Sequence, residues 1–196
     1  MKKTLWIAIL ALVLSVILAP PVMAQTDAST WFKMRDGEVT VIPWYVYNSD
    51  KIFVDARYNF DAGDSASVFL GKSYGDKVKF IPAVGAIGGK YFGLSAELNI
   101  VGKLGKVEYF VMNQYSLGLG GKADFAYHWI DLMIPVSKRV SVGFDEQLYC
   151  EKGSKGEFDY GPVIKFKDSK NRFIKVWYAF STGDFDKTFF GIGQSF

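Results

Sequence analysis

His128 is the one histidine of the chain and Cys150 the one cysteine, so acid–base, nucleophilic or metal chemistry would have to rest on very few groups. A histidine general base needs an orienting carboxylate or hydroxyl within hydrogen-bond reach. Asp124 shares the parity of His128 in an extended chain but stands four residues away, about 13 Å along a strand, too far to orient the ring. No G-x-S-x-G, no metal-ligand spacing around His128 and no cysteine pair is present. Gly118-Leu119-Gly120-Gly121-Lys122 lacks the spacing of a phosphate loop and leads into strand-like sequence rather than a helix. The residues therefore imply no cofactor, no metal and no catalytic site. A cross-strand partner for His128 is the alternative that sequence leaves open.

Charge, by contrast, falls in a pattern. Asp55, Arg57, Asn59, Lys79, Glu97, Asn99, Asp124, His128, Asp145, Glu157, Asp159 and Lys165 occupy the more polar side of segments that alternate with a period of two, as do Glu108, Gln114, Gln147 and Lys175. Both signs occur in comparable number. Such a face can cross-brace an interior with ion pairs or line a narrow polar passage, and both readings stand.

The elements that must position these groups read as strands. In Ile52–Phe60, Ile52, Val54, Ala56, Tyr58 and Phe60 oppose Phe53, Asp55, Arg57 and Asn59; in Tyr91–Ile100, Phe92, Leu94, Ala96, Leu98 and Ile100 oppose Tyr91, Gly93, Ser95, Glu97 and Asn99. Turn formers such as Asn48-Ser49-Asp50, Asp61–Asp64, Gly102–Gly105 and Lys167–Lys170 recur about every 12 to 15 residues. Eleven strands follow from Glu38 onward, and a twelfth over Thr30–Met34 makes an even number; ten is the alternative, with the N-terminal piece folded inside. Pro43, Pro82 and Pro162 fall within strands and predict bulges or strand ends. In Asp124–Ile134 the alternation slips, which predicts a bulge near Ile130-Asp131.

Composition narrows the class. Of 196 residues 49% are hydrophobic and 22% charged, with 20 glycines, which excludes a disordered tail and a disulfide scaffold. With 23 basic residues against 20 acidic ones there is no surplus to neutralise phosphates, so nucleic acid is not an expected partner. Lys2 and Lys3, the apolar run Leu5–Ala19 and the small residues up to Ala24 read as an export signal cleaved between Ala24 and Gln25. The run is too short to span hydrocarbon as a helix, which needs about 20 residues. This divides the chain into a signal peptide over 1–24, a polar linker over 25–29 and one β-domain over 30–196.

Alternation alone does not say whether the apolar face meets a core or lipid. Strands of about 10 residues span roughly 25 Å when tilted, the height of an outer-membrane apolar band. Aromatics near strand ends (Trp44, Tyr45, Tyr47; Tyr58, Phe60; Tyr91, Phe92; Tyr127, Trp129; Tyr178, Phe180; Phe189, Phe190) read as interfacial girdles. Glycines such as Gly71, Gly85, Gly93, Gly143 and Gly161 on the less apolar faces leave room inside a narrow barrel.

The chain stops on Phe196 after the alternating segment Thr188-Phe190-Ile192-Gln194, with Gly191 five residues before the end. This ending resembles the C-terminal assembly signal of bacterial outer-membrane β-barrels; Gln194 and Phe189 depart from it. The resemblance implies a transmembrane antiparallel up-and-down barrel in the outer membrane, with outer-membrane lipids and the barrel-assembly machinery as partners. It also places the turns at Asn48–Asp50, Gly75-Asp76, Lys103–Gly105, Ser137-Lys138 and Asp168–Lys170 in the periplasm. The longer connections Gly85–Lys90, Leu117–Lys122, Glu151–Gly156 and Ser181–Asp186 are expected outside. The expected function is a narrow porin-like channel for a small polar solute, or a structural membrane protein. Channels for acidic sugars line their bore with arginines; here Arg57 is the one of four arginines that clearly points inward. A lipid-modifying enzyme centred on His128 and a soluble lipocalin-like binding barrel are the alternatives.

Overall fold

In the computed structural model the described residues are 25–183 and 186–195, and they form twelve strands and no helix. The strands are β1 (Gln25–Arg35), β2 (Glu38–Asn48), β3 (Phe53–Tyr58), β4 (Ser65–Gly71), β5 (Val78–Gly89), β6 (Gly93–Leu104), β7 (Val107–Gly118), β8 (Phe125–Pro135), β9 (Val140–Glu151), β10 (Glu157–Lys167), β11 (Arg172–Ser181) and β12 (Lys187–Ser195). Each pairs antiparallel with its neighbours in sequence, and β1 also pairs with β12, from Asp27↔Ser195 to Met34↔Thr188. Closure leaves no edge strand with unpaired backbone groups. An even number of strands brings both ends of the described chain to one end of the barrel, here called the terminal end.

The export signal Met1–Ala24, its cleavage bond and Phe196 lie outside the described residues. The expected linker over 25–29 is instead the first part of β1, in register with β2 from Gln25↔Asn48 through Ser29↔Trp44. Polar side chains suggested a linker, but these backbone groups are taken up by the ladders on either side, whatever the side chains.

Side chains alternate about the wall. In β6, Ser95, Glu97 and Asn99 are buried inside while Leu94 and Leu98 are exposed outside; in β4, Ser65, Ser67 and Phe69 oppose Val68 and Leu70. The exterior is a broad apolar band, with Val84 at 68% and Leu94 at 55% exposure, far more than water-solvated proteins leave in one patch. The packed core lies inside the ring.

The strand prolines occur without bulges. Pro43 sits just beyond the β2–β3 ladder, which begins at Trp44↔Arg57, and Pro82 just beyond the β4–β5 ladder, which ends at Gly71↔Ala83. At Pro162 the β10–β11 ladder skips two residues between Tyr160↔Phe180 and Val163↔Trp177 and resumes in the same register. Each proline thus lies where one flanking ladder is absent or interrupted, so no donor is missed. The bulge expected at Ile130-Asp131 is also absent: β8 keeps unbroken register with β7 and β9. What inverts there is the polarity of the faces.

Connections are short at both ends. The longest run over six residues, 59–64 and 119–124 at the distal end and 72–77 at the terminal end, so the expected asymmetry is slight. Most of the expected loop Gly85–Lys90 belongs to β5.

Candidate functional site

Among the described residues no connection exceeds six residues, so a constriction inside this barrel is built there from wall side chains or a short connection. Both contribute. At mid-height Arg57 of β3 is fully buried and gathers three carboxylates. Its Nε donates to Asp55 Oδ1 (3.0 Å), Nη1 lies 3.6 Å from Asp61 Oδ1, and Nη2 meets Glu97. Nη1 also donates to Gln114 Oε1 (3.3 Å). The partners are held in turn: Trp44 Nε1 donates to Asp55 (2.8 Å), Asn99 to Glu97 (2.5 Å), and Gln114 Nε2 to Asp61 (2.6 Å). The guanidinium plane lies against Phe69 (4.6 Å), Phe60 (4.8 Å) and Trp44 (5.3 Å). A planar cation with five donors suits such a site, where an ammonium would not.

Two of these partners belong to a connection. Asn59 adopts φ +58°, a left-handed conformation that ends β3, and turns the chain so that 60–63 enter the lumen. Its side chain fixes the turn: Nδ2 donates to Val41 O (3.0 Å), and Oδ1 accepts from Asp64 N (2.7 Å). The parity of β3 is thereby broken, and Phe60, expected outside, packs inside on Trp44 (5.1 Å) and Tyr127 (5.2 Å). Trp129 completes the layer against Trp44 (5.4 Å) and Phe110 (5.4 Å).

This aromatic layer divides the lumen into two vestibules. The distal one, about 500 Å³, has Lys33, Arg35, Lys187, Glu157 and Asp159 among its walls and Phe60 and Tyr127 at its floor. The terminal one, about 320 Å³, contains Asp27, Lys79, Asp131 and Lys165 and ends on Trp44 and Trp129. Lys187 bridges Glu157 and Asp159 (2.7 Å each), and Arg35 also reaches Glu157 (3.3 Å). Lys175 bridges Asp131 (2.6 Å) and Asp145 (3.0 Å).

Of the residues expected in the lumen, Asp55, Arg57, Glu97, Asn99, Asp145 and Asp159 are buried inside, while Lys79, Lys165, Glu157 and Asn59 line the vestibules. Two differ. Asp124 lies in the connection before β8, where it accepts from Gly118 N (3.0 Å) and pairs with Lys152 (3.6 Å). His128 is on the outer wall, because Tyr127 and Trp129 on either side of it face inward. The girdle assignment fails in the same way for Trp44, Phe60, Tyr127, Trp129 and Phe189, which lie inside, whereas Tyr45, Tyr178 and Phe180 face outward. Asp131, Lys33 and Lys187 were not anticipated. Continuing the parity of Tyr127 through β8 would have placed Asp131 inside. Gly191, expected as part of an assembly signal, faces the Trp31 ring, where a Cβ would stand 2.6 Å from its edge. Cys150 is exposed on the outer wall.

No family model and no curated protein matches the sequence. Solved structures do. The KdgM porin in complex with disordered oligogalacturonate superposes with a TM-score of 0.62 at 10% identity, over 87% of this chain and 99% of the other. The KdgM porin alone gives 0.61 at 11% identity with the same coverage. A porin refined at 1.8 Å gives 0.50 at 12% identity, over 80% of this chain and 62% of the other. The likeness is one of fold: the chain has the closed antiparallel architecture of bacterial outer-membrane β-barrels.

Proposed function

We propose that this protein is embedded in a bacterial outer membrane after removal of its export signal and acts there as a narrow porin-like conduit for small polar solutes. At rest the conduit is closed by the β3–β4 connection. The apolar exterior and the likeness to porins in fold support the location. The observation that carries the function is that part of the closing layer comes from a connection, while Trp44, Phe110, Tyr127 and Trp129 come from strands. Phe60 and Asp61 come from a connection, so they can leave the lumen without unpairing any strand, and the vestibules on either side would then join. The distal vestibule suits a small polar solute: it pairs charges of both signs with aromatic surface, and the buried Tyr127 hydroxyl at its floor has no hydrogen-bond partner among the described residues.

The KdgM porin has been seen in complex with disordered oligogalacturonate, and the constriction here does not suit such a polyanion. Arg57 is enclosed by three carboxylates, so the constriction offers no spare positive charge to a polyanion. A lipid-modifying enzyme centred on His128 finds no support either, since among the described residues the imidazole meets Asn113 at Nδ1 (2.8 Å) and stands 4.0 Å from Glu146 at Nε2, and neither an amide nor a carboxylate there supplies a hydroxyl or thiol nucleophile.

Conductance across a planar bilayer tests the proposal. Wild type is expected to give small, intermittent openings, and Phe60→Ala/Asp61→Ala a several-fold larger mean current with the barrel still folded. A double variant that conducts no more than wild type would leave a sealed barrel with a structural role.

A further inference from the structure

The outer wall carries a polar cluster where lipid would be expected. Asn113 of β7, His128 of β8 and Glu146 of β9 point outward from three adjacent strands: His128 Nδ1 donates to Asn113 Oδ1 (2.8 Å), and His128 Nε2 lies 4.0 Å from Glu146 Oε1. Asn113 and Glu146 are each the seventh residue of a twelve-residue strand, and His128 is the fourth of eleven. With a rise of about 3.3 Å per residue and a tilt of about 40°, all three lie within about 5 Å of mid-height. Among the described residues, His128 and Glu146 are the Asp, Glu, His, Lys or Arg side chains at outward mid-strand positions; the opposite wall, β1–β3, presents Phe32, Val41, Tyr45 and Val54. Ionisable groups at this depth are costly against hydrocarbon and are kept where something polar meets them. Lipid headgroups and ester bonds, about 12 Å or more from the bilayer centre, are too far away to do so.

We propose that the face bearing Asn113, His128 and Glu146 is the contact surface for a second copy of this chain in the membrane, paired about a twofold axis. The cluster is self-complementary, holding the Asn113 amide and the imidazole, once it is protonated on both nitrogens, as donors and a carboxylate as acceptor. A twofold contact can therefore set His128 of each copy against Glu146 of the other. The relief agrees. Recesses of about 380 and 600 Å³ adjoin on this wall, both bordered by Ala96, with Tyr115 standing between them. Ridge and hollow thus alternate on one face, as interdigitating copies require. The inference rests on the wall facing lipid. Solubility without detergent would remove that premise, whereas a monomer in bilayers would remove only the pairing.

Cys150 borders the smaller recess and is the only thiol, so it reports directly on the contact. In intact membranes a short bismaleimide is expected to link wild type into a species of twice the chain mass. Moving the thiol to the far wall, in Cys150→Ser/Val39→Cys on β2, should lower that yield about tenfold, as should His128→Leu/Glu146→Leu with Cys150 retained; tenfold corresponds to 1.4 kcal/mol of association. Leucine suits a lipid-facing strand, and heat-modifiable migration verifies that the variant barrel is folded. A monomeric mass without cross-linking, a product of any other mass, or equal yield from all three proteins would overturn the proposal.

Discussion

The two sides of the lumen hold their buried charges differently. On the β3–β7 side, Arg57 faces three carboxylates and is sandwiched by rings, and one carboxylate and one ring come from the 59–64 connection. On the β8–β12 side, Lys175 and Lys187 each bridge two carboxylates supplied by wall strands, backed by the Trp177–Phe189 stack at 4.4 Å. One side is fastened to a piece of chain that carries no ladder, the other only to the ladders themselves. The lesson is that the part of the closing layer that carries no ladder belongs to one side, while the other side contributes Tyr127 and Trp129 from fixed strands, so gate and bracing respond differently to perturbation.

The largest effect should come from Arg57→Ala, which leaves three buried carboxylates facing one another. We expect a loss near the upper end of the 3–5 kcal/mol typical of broken buried pairs, about 5 kcal/mol, together with release of the 59–64 connection. Lys175→Met fills similar volume and strands two carboxylates rather than three, so about 3 kcal/mol and unchanged conductance are expected. Denaturant unfolding in detergent, paired with bilayer recordings, checks both; equal losses with equal currents would erase the contrast.

Gly191→Ala probes the wall side more gently. The new Cβ would press on Trp31, which packs edge-on against Trp129 at 6.4 Å, so strain of about 1–3 kcal/mol should reach the aromatic layer. A lower unfolding midpoint and an altered near-ultraviolet dichroism spectrum are expected; an unchanged midpoint would mean that the ring yields freely.

The smallest effect concerns the outer clasp of the connection. Lys90 pairs with Asp64 at 2.5 Å, and the hydrogen bond from its ammonium holds the Asp64 carboxyl below its ordinary value of 3.8. A depressed carboxylate contributes above its unfolded pKa and loses that contribution as pH falls through the folded one. The clasp should therefore persist at neutral pH and loosen only in acid, below about pH 4. Openings should become more frequent there, and Lys90→Ala should reproduce the change at neutral pH with no measurable shift in unfolding. Opening frequency independent of both would detach the clasp from the gate.

Much of this arrangement was legible in the residues. Period-two alternation, recurrent turns and an even strand number led to a closed meander, and Asp55, Arg57, Glu97 and Asn99 read as an inward face because their neighbours Val54, Ala56, Leu98 and Ile100 are apolar. The layer that closes the lumen was not legible. Trp44, Tyr127 and Trp129 look the same whether they meet lipid or each other, since both surroundings are apolar. Around His128 the outward face is polar and the inward one aromatic, so the usual rule points the wrong way.

Sequence by itself determined that the chain forms strands with two unlike faces, ten or twelve of them, because alternation and turn chemistry act between residues close in the chain. Which face is inside at each height, and what Arg57 meets there, was decided only by ring closure. That step brings Asp55, Asp61, Glu97 and Gln114 from four separate segments around one guanidinium. It also lets a single left-handed residue, Asn59, turn Phe60 from the wall into the lumen.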